Sequence, residues 1–187
     1  MSNKILKAAV AVGVIALGAV GVAQAKSPVP GKPGASNIVD TAIAANKQLG
    51  VFDTLLTAAT CDYFKGAVVN LLSGRDRYTL FAPTDDAFAK LKLTPDNVCA
   101  AFASDPTALL NVLTYHVTEG RRFSNSVFNK RSVKMVEMLN QQYIVTNPNL
   151  SINDASGRTI NAVQQFVNIN ASNGVIHVID TVLLPST

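Results

Sequence analysis

The clearest hydrophobic pattern in the chain runs from Tyr78 to Phe88, where strand chemistry changes to helix chemistry within two residues. The first five residues are apolar and β-prone, and Pro83 ends that run. Thr84 is a suitable N-cap, and the two aspartates after it fall where the helix dipole favours negative charge. The pattern predicts a buried strand that turns sharply into a helix.

Three helical patterns precede this strand. Ser36 or Asn37 can cap the first, which Gly50 ends, and the third runs from Gly66 to Leu72. The first two repeat apolar residues at helical spacing, namely Ile38, Val39, Ala42 and Ile43, then Phe52, Leu55, Leu56 and Ala59. The first third of the domain is therefore predicted to be mostly helical.

Two more helices are predicted before the middle of the chain. Thr94-Pro95 and Asp105-Pro106 each place a capping residue before a proline at the first helical position. The second of these helices carries a leucine stripe and leads directly to Tyr115-His116. We expect that pair to enter a strand.

Beyond Gly120 the period of the pattern changes to two, as in β-strands. The last candidate follows Asn173-Gly174, predicted to be a tight turn, and it is apolar on both faces, as expected of a central strand. Helices first and strands later indicate an α+β domain. The candidate strands are Val133 to Val136, Gln142 to Thr146, Leu150 to Asn153, Thr159 to Ala162, Phe166 to Ile169 and Val175 to Ile179.

Three stretches together resemble the signatures of the fasciclin (FAS1) domain family. They are Thr79 to Thr84 with Ala87-Phe88, the pair Tyr115-His116, and Asn173 to Pro185. The resemblance covers roughly Asn37 to Pro185 and implies a wedge-shaped β-sandwich of about seven short strands, with the N-terminal helices packed along its edge. We therefore expect one fasciclin-like domain over residues 36–187.

The resemblance implies an interaction module in cell adhesion or in contact with a cell surface or matrix. Its central pair, Tyr115 and His116, is the predicted contact position, on a surface where the last helix meets the sheet. A structural hydrogen bond is the alternative role for His116. The expected partner is a protein or another cell-surface or matrix component, which the sequence does not identify.

A second function is suggested by fasciclin-like proteins of algae and microbes that bind carotenoids. Met135, Met138, Tyr143 and Phe166 are predicted to line an apolar site for such a molecule or for a lipid, although an ordinary sandwich core also explains them. Asn168 stands where the family often has an acidic residue, which removes a charge from this region.

The first 25 residues have the pattern of a secretory signal peptide. Lys4 and Lys7 precede an apolar run of about 15 residues, short of the roughly 20 that span a membrane, and Ala23-Gln24-Ala25 resembles a cleavage site. Residues 26–35 are rich in proline and glycine and are predicted to be an extended linker. The sequence thus predicts a secreted or periplasmic protein without a membrane span once the leader is removed; an uncleaved anchor is the alternative.

The two cysteines, Cys61 and Cys99, are predicted to form a disulfide because the chain is expected to reach an oxidising compartment. Two free buried cysteines are the alternative. Neither cysteine has a second Cys or His at a short spacing, so a metal site is not expected.

The charge pattern gives no support for nucleic-acid binding. The formal charge is +4, and removing Lys4 and Lys7 from the 16 basic residues leaves 14 against 12 acidic ones, or +2. The pairs Arg121-Arg122 and Lys130-Arg131 are not interleaved with aromatic residues and are predicted to lie in a solvated loop. Asn149 and Asn170 each begin a glycosylation sequon.

Residues suited to catalysis are few. His177 lies in an apolar strand pattern and is predicted to be a core histidine, and the chain has no Gly-x-Ser-x-Gly motif. Asp85 and Asp86 are adjacent, so on a helix their side chains diverge by about 100° and suit a helix start better than a paired acid and base. The sequence therefore predicts neither an enzyme nor a cofactor or metal site.

Overall fold

Helices dominate the first half of the chain and strands the second half. The computed structural model describes residues 34–129 and 131–186; the predicted leader, nearly all of the linker and Lys130 lie outside this part. The helices are α1 (Ile38–Leu49), α2 (Asp53–Thr60), α3 (Ala67–Ser73), α4 (Asp85–Ala89), α5 (Val98–Ala101), α6 (Pro106–Thr114) and α7 (Ser124–Val127). The strands are β1 (Tyr78–Pro83), β2 (Val117–Glu119), β3 (Lys134–Glu137), β4 (Tyr143–Thr146), β5 (Ser151–Asn153), β6 (Thr159–Asn161), β7 (Ile169–Ala171) and β8 (Gly174–Ile179).

The strands form two four-stranded sheets. The first has the order β2-β1-β8-β7, in which β1 and β8 are parallel and the outer pairs are antiparallel. The second is a fully antiparallel sheet with the order β3-β4-β5-β6. The apolar strand predicted to be central, β8, indeed has a partner on each side and is buried at all six positions.

Two clusters of buried apolar side chains hold these layers together. One lies between the helices and the first sheet, where Ile176 and Val178 of β8 meet α1 to α3. The other lies between the sheets and joins Phe81 and Ile179 to inward side chains of β3 to β6. The two faces of the first sheet thus pack on different layers, and the predicted α+β sandwich with helices along it is confirmed.

Caps at the helix starts agree with the sequence in three places. Asn37 accepts a hydrogen bond from the backbone of Asp40 (2.9 Å), Thr84 from Ala87 (3.2 Å), and Asp105 from Ala108 (3.1 Å). Each satisfies a backbone N–H in the first turn of a helix that has no partner within that helix. The predicted helix start at Thr94 is wrong, because residues 94–97 form a turn and α5 begins only at Val98.

The described chain has eight strands, in agreement with the predicted number of about seven, and β2 follows α6 closely and pairs with β1 over three residues. One strand prediction needed correction. The strand predicted from Phe166 to Ile169 is displaced: Gln164–Phe166 is a 3₁₀ turn, Asn168 has a φ of 64°, and β7 starts at Ile169. Positive φ is incompatible with an extended strand, so pairing begins only after Asn168.

Gly174 is required by close packing rather than by the turn that was predicted to contain it. The turn itself is at Ser172 and Asn173, and Gly174 is the first residue of β8. A Cβ atom there would lie 2.3 Å from the carbonyl oxygen of Tyr78 and from Cδ1 of Ile38. Glycine therefore lets β8 and the start of α1 approach each other.

Candidate functional site

The side chain of Tyr115 is buried between the sheets. It caps the C-terminus of α6, and its hydroxyl donates to the carbonyl of Tyr143 (2.9 Å) and accepts from the N–H of Ala155 (2.8 Å). Burial raises the pKa of this hydroxyl. Tyr115 therefore links α6 to the second sheet. Its side chain is fully buried and cannot contact a partner protein.

The ring of His116 is also buried, and both of its nitrogens are in use. Nδ1 lies 2.7 Å from the carbonyl of Val112 and must donate, while Nε2 accepts from the backbone N–H of Leu183 at 2.9 Å. Burial lowers the pKa of His116 to about 4, so the ring is neutral at physiological pH. The expected contact surface at Tyr115 and His116 is thus corrected: both lie in the core, and the structural hydrogen bond proposed as the alternative for His116 is present.

His177 has the opposite arrangement of donor and acceptor. Its Nε2 donates to the carbonyl of Arg122 (2.8 Å), and Nδ1 accepts from the N–H of Asn168 (3.3 Å). The ring packs against Phe81 and Phe128, and burial lowers its pKa to about 4. His177 is therefore a core histidine, as predicted, and is not available as a base.

Asn168, the residue that replaces a frequent acidic residue of the family, orders the loop before α7. Its Oδ1 accepts from the N–H of Ser124 (2.7 Å), and its Nδ2 donates to the hydroxyl oxygen of Ser124 (2.7 Å). The amide thereby serves the start of α7. Asn168 therefore stabilises the fold by holding Ser124 at the start of α7.

Asp85 begins one helix and caps another. Besides lying in the first turn of α4, its carboxylate accepts the N–H groups of Asp53 (3.1 Å) and Thr54 (2.7 Å) at the start of α2. Asp86 does not share these contacts. The aspartate pair is thus used for helix starts, as the divergence of its side chains indicated.

The disulfide expected between Cys61 and Cys99 is present. It joins the C-terminal end of α2 to α5, with the two Cα atoms 5.6 Å apart and 38 residues separating them in sequence. The cross-link fixes the C-terminal end of α2, a helix that lines an apolar pocket.

The four residues predicted to line an apolar ligand site do not come together. Met135 and Tyr143 are 69% and 46% exposed on the outer face of the β3–β4 hairpin, whereas Met138 is buried between the sheets. Phe166 packs at the edge of the other apolar cluster, near the helices. Alternation in a strand separates outer from inner side chains, so this set lines no common cavity.

Met135 and Tyr143 instead belong to an exposed apolar surface. Val133, 56% exposed, precedes β3 by one residue, and the cross-strand partner of Met135 on the same outer face is Val145. We call Val133, Met135 and Tyr143 the hairpin face. β3 is the edge strand of its sheet, so this face continues to an edge that can accept a partner.

An apolar pocket lies where α1, α2 and α3 meet the first sheet, a place that the sequence did not indicate. It encloses about 290 Å³ and is lined almost entirely by aliphatic side chains, including Ala42, Leu55, Val68 and Leu80. Ile43 is 38% exposed and borders it, so the pocket reaches the surface beside α1. We call it the helix pocket. The available signal was the apolar stripes of α1 and α2, which resemble those of any core helix.

The basic pairs predicted to lie in a solvated loop are only partly exposed to solvent, because Arg121 is partly buried. The guanidinium of Arg121 stacks over Phe123 and donates to the side chain of Asn170 and to the carbonyls of Ala171 and Gly174. Arg131 is exposed. Of the two sequon asparagines, Asn149 is exposed and Asn170 is bound by Arg121.

Within residues 34–129 and 131–186, no helix is long and apolar enough to cross a membrane. The same residues contain no group of three or more Cys, His, Asp or Glu side chains placed to hold a metal ion.

Comparison with known proteins gives a consistent result. A family model described as the fasciclin domain matches residues 50–185. An uncharacterized protein of Synechocystis is 33% identical over 149 residues, which cover 79% of this chain and 97% of that protein. Human periostin is 31% identical over 118 residues, covering 61% of this chain and 13% of periostin.

The fold is likewise known. The structure of a FAS1 domain pair from the insect cell adhesion molecule Fasciclin I matches with a TM-score of 0.56 and 16% identity, over 81% of this chain. This chain spans about half of that one, 51%, as a single domain of a pair would. With the two-sheet architecture and the match over residues 50–185, the chain belongs to the fasciclin (FAS1) domain family.

Proposed function

We propose that this chain is an exported interaction module that contributes to cell adhesion or to contact with a cell surface or matrix, and that it acts without catalysis. The observation that carries the proposal is the exposed hairpin face on a domain of the fasciclin family. The solved FAS1 domain pair, which belongs to a cell adhesion molecule, supports it by analogy. The partner is a protein or another cell-surface or matrix component.

Export is part of the proposal. Residues 1–25 are proposed to be a signal peptide, and residues 26–35 a spacer before the domain, so that the mature chain works outside the cytoplasm. The disulfide between Cys61 and Cys99 supports this location, because disulfides persist in oxidising compartments.

A non-catalytic role is supported by the state of the histidines. His116 and His177 are neutral, buried and hydrogen-bonded through both ring nitrogens to the backbone. A general base needs a free nitrogen within reach of a substrate proton. Neither ring offers one.

The hairpin face has the composition of a protein-contact surface. A methionine and a tyrosine, both enriched at interfaces, stand exposed at 69% and 46%, and Glu137, the cross-strand partner of Tyr143, supplies a charged group beside them. Contiguous exposed apolar groups on a single-domain protein mark interaction sites. We therefore assign partner contact to this face rather than to Tyr115 and His116.

The proposal is tested by attachment of beads coated with the mature chain to cells of the organism that encodes it. Replacing Met135 and Tyr143 together by glutamine is expected to reduce attachment roughly fivefold or more, as loss of interface anchors does. The matched control is Leu110→Gln on α6, which alters an exposed apolar residue outside the hairpin face. Equal attachment of the doubly substituted chain and the wild type would refute this contact face, and no attachment of either would refute the adhesion role.

A second candidate function, binding of a small apolar molecule, is favoured by the helix pocket. Its volume of about 290 Å³ is near the lower end of ligand sites, roughly 300 to 1,000 Å³. A dry cavity of roughly 150 Å³ holds one benzene, so this pocket has room for on the order of a dozen carbon atoms. It suits one segment of a hydrocarbon chain, whereas a long polyene would extend beyond it.

Native mass spectrometry of the mature protein purified from its host tests this function. A stoichiometric apolar compound that dissociates into an organic extract is expected, and Ala59→Leu, which adds carbon atoms at the pocket wall, should lower its occupancy. Ala101→Leu, at an exposed position on α5, is a control that adds the same bulk outside the pocket. An empty protein, or equal occupancy in both variants, would exclude the helix pocket as the site.

A further inference from the structure

A polar groove lies at the end of the molecule formed by the loop around α7, the β4–β5 turn and the 3₁₀ turn at Gln164–Phe166. It encloses about 630 Å³, within the range of ligand sites, and we call it the amide groove. Its polar residues are Ser124, Asn125, Asn129, Arg131, Asn149 and Gln164.

The polar groups of this groove are biased toward hydrogen-bond donors. Oδ1 of Asn129 accepts from the N–H of Arg131 (2.9 Å), and Oδ1 of Asn149 accepts from the hydroxyl (2.8 Å) and the N–H (3.3 Å) of Ser151. These bonds fix which end of each amide is oxygen. Within the described part of the chain, both Nδ2 groups are left without a partner.

Two further groups add to the same bias. The hydroxyl oxygen of Ser124 already accepts from Nδ2 of Asn168, which leaves its hydrogen to donate. The guanidinium of Arg131 is exposed and has no partner among the described residues. These four residues present two amide donors, one hydroxyl donor and one cation, while the amides of Asn125 and Gln164 each add a donor and an acceptor.

The charges of the surrounding chain agree with these donors. Residues 120–136, 138–153 and 163–179, which together supply every wall of the groove, contain no aspartate or glutamate. Residues 120–136 contain five basic residues, Arg121, Arg122, Lys130, Arg131 and Lys134. A negatively charged ligand with acceptor oxygens would bind to hydrogen-bond donors here and would not be repelled by a carboxylate of these segments.

We infer that the amide groove binds an acidic saccharide, a carbohydrate chain bearing carboxylate groups. Arg131 pairs with a carboxylate, and the free Nδ2 groups of Asn129 and Asn149 donate to carboxylate or hydroxyl oxygens of the sugar. Pro148 and Leu150 line the same groove and offer apolar surface to the C–H face of a sugar ring. This inference rests on the proposed function and gives it a chemical class of partner, bound by residues other than those of the hairpin face.

The test is calorimetric titration of the mature chain with polygalacturonate at low salt, with neutral dextran, dextran sulfate and a single-stranded oligonucleotide as comparisons. Binding to polygalacturonate that weakens with salt, and no binding to dextran, is expected. Tighter binding to the oligonucleotide or to dextran sulfate, equal binding to dextran, or no binding to polygalacturonate would overturn the inference.

Two variants locate the site while preserving the fold. Asn149→Asp keeps an oxygen for Ser151 but replaces the free donor by a negative oxygen, and Arg131→Gln removes the cation. Each is expected to weaken binding roughly tenfold, the effect of losing a hydrogen bond to a charged group. Gln48→Glu on α1 adds the same charge as Asn149→Asp outside the groove and should change affinity less than about twofold. Equal losses in all three would show non-specific charge attraction and overturn the site.

The bead assay with the same variants separates this inference from the adhesion proposal. Wild-type attachment that is unchanged by Asn149→Asp, together with failure to bind polygalacturonate, would refute saccharide binding by the amide groove but not the adhesion role. Saccharide binding without attachment of any bead would refute the adhesion role but not saccharide binding by the groove.

Discussion

His116 accepts a hydrogen bond from the backbone N–H of Leu183 at 2.9 Å, across 67 residues of sequence. The bond joins the end of α6 to the segment that follows β8. Because Nδ1 of the same ring donates to Val112, Nε2 can accept only while the ring is neutral. The contact therefore depends on the protonation state of His116.

We expect the free energy of unfolding to fall as pH is lowered from about 6.5 to about 4. The pKa of both His116 and His177 drops from 6.5 to about 4 on folding because the rings are buried. In this window the unfolded chain binds more protons, so stability present above pH 6.5 is lost as pH falls toward 4. Each shift corresponds to on the order of 3 kcal/mol. Urea unfolding followed across this range measures the loss.

The variant His116→Gln separates the two rings. It should be less stable than the wild type at neutral pH and should lose only about half as much stability on acidification. Arg158, which lowers the pKa of His116, and Asp154, which raises it, both stay in place in this variant. A pH dependence equal to that of the wild type would contradict the assignment.

Asn173 joins three backbone segments from inside the core. Its Oδ1 accepts from Ile38 N–H (2.8 Å), and its Nδ2 donates to the carbonyls of Leu72 (2.8 Å) and Gly74 (2.9 Å). Asn173→Ala leaves these buried N–H and C=O groups without hydrogen-bond partners, so we expect a loss of about 2 to 4 kcal/mol in the free energy of unfolding. Ser172→Ala, at an exposed position of the same turn, should cost less than about 0.5 kcal/mol in the same urea titration. Equal losses of stability in the two variants would show that the turn as a whole, and not the hydrogen bonds of the Asn173 amide, stabilises the fold.

The two adjacent aspartates should differ in their contribution to stability. Asp85→Ala removes the acceptor for Asp53 and Thr54 at the start of α2, and we expect it to cost about 1 to 2 kcal/mol. Asp86→Ala removes a charge from the same helical turn but no contact with α2, so its cost should stay below about 1 kcal/mol. Thermal unfolding of both variants measures the difference. The reverse order would contradict the capping role of Asp85.

The disulfide should contribute measurably to stability. In the chain-entropy description, reducing Cys61–Cys99 lowers the free energy of unfolding by roughly 3 to 4 kcal/mol. Denatured, unreduced mature protein should show no reactive thiol. A variant with both cysteines replaced by serine should have the stability of the reduced protein and not respond to reductant. Two reactive thiols in the wild type would contradict the pairing.

The sequence correctly predicted the helices and strands for which the capping residues and the apolar pattern indicate the same element. Thr84 and Asp105 begin helices as expected, and β8 is central because its residues are apolar on both faces. These features depend on neighbours within a few positions. Thr94, with the same capping chemistry, does not begin a helix, because a turn intervenes and α5 starts only at Val98.

The candidate site depended on segments distant in sequence, and there the prediction was weaker. Tyr115 and His116 are covered by Tyr143, Ala155 and Leu183, so no pattern near the pair indicated burial. Alternation along β3 and β4 placed Met135 and Tyr143 on one face but did not tell which face was outer. The stripes on α1 and α2 likewise predicted burial without indicating that a pocket remained between them.

The parallel pairing of β1 with β8 sets the order in which this domain can be completed. Tyr78 to Pro83 pairs over six residues with Gly174 to Ile179, roughly a hundred residues further along the chain. A ribosome therefore releases an apolar strand long before its main partner exists. Until the C-terminal segment has emerged, the first sheet stays incomplete, and the apolar residues of β1 lack their parallel partner.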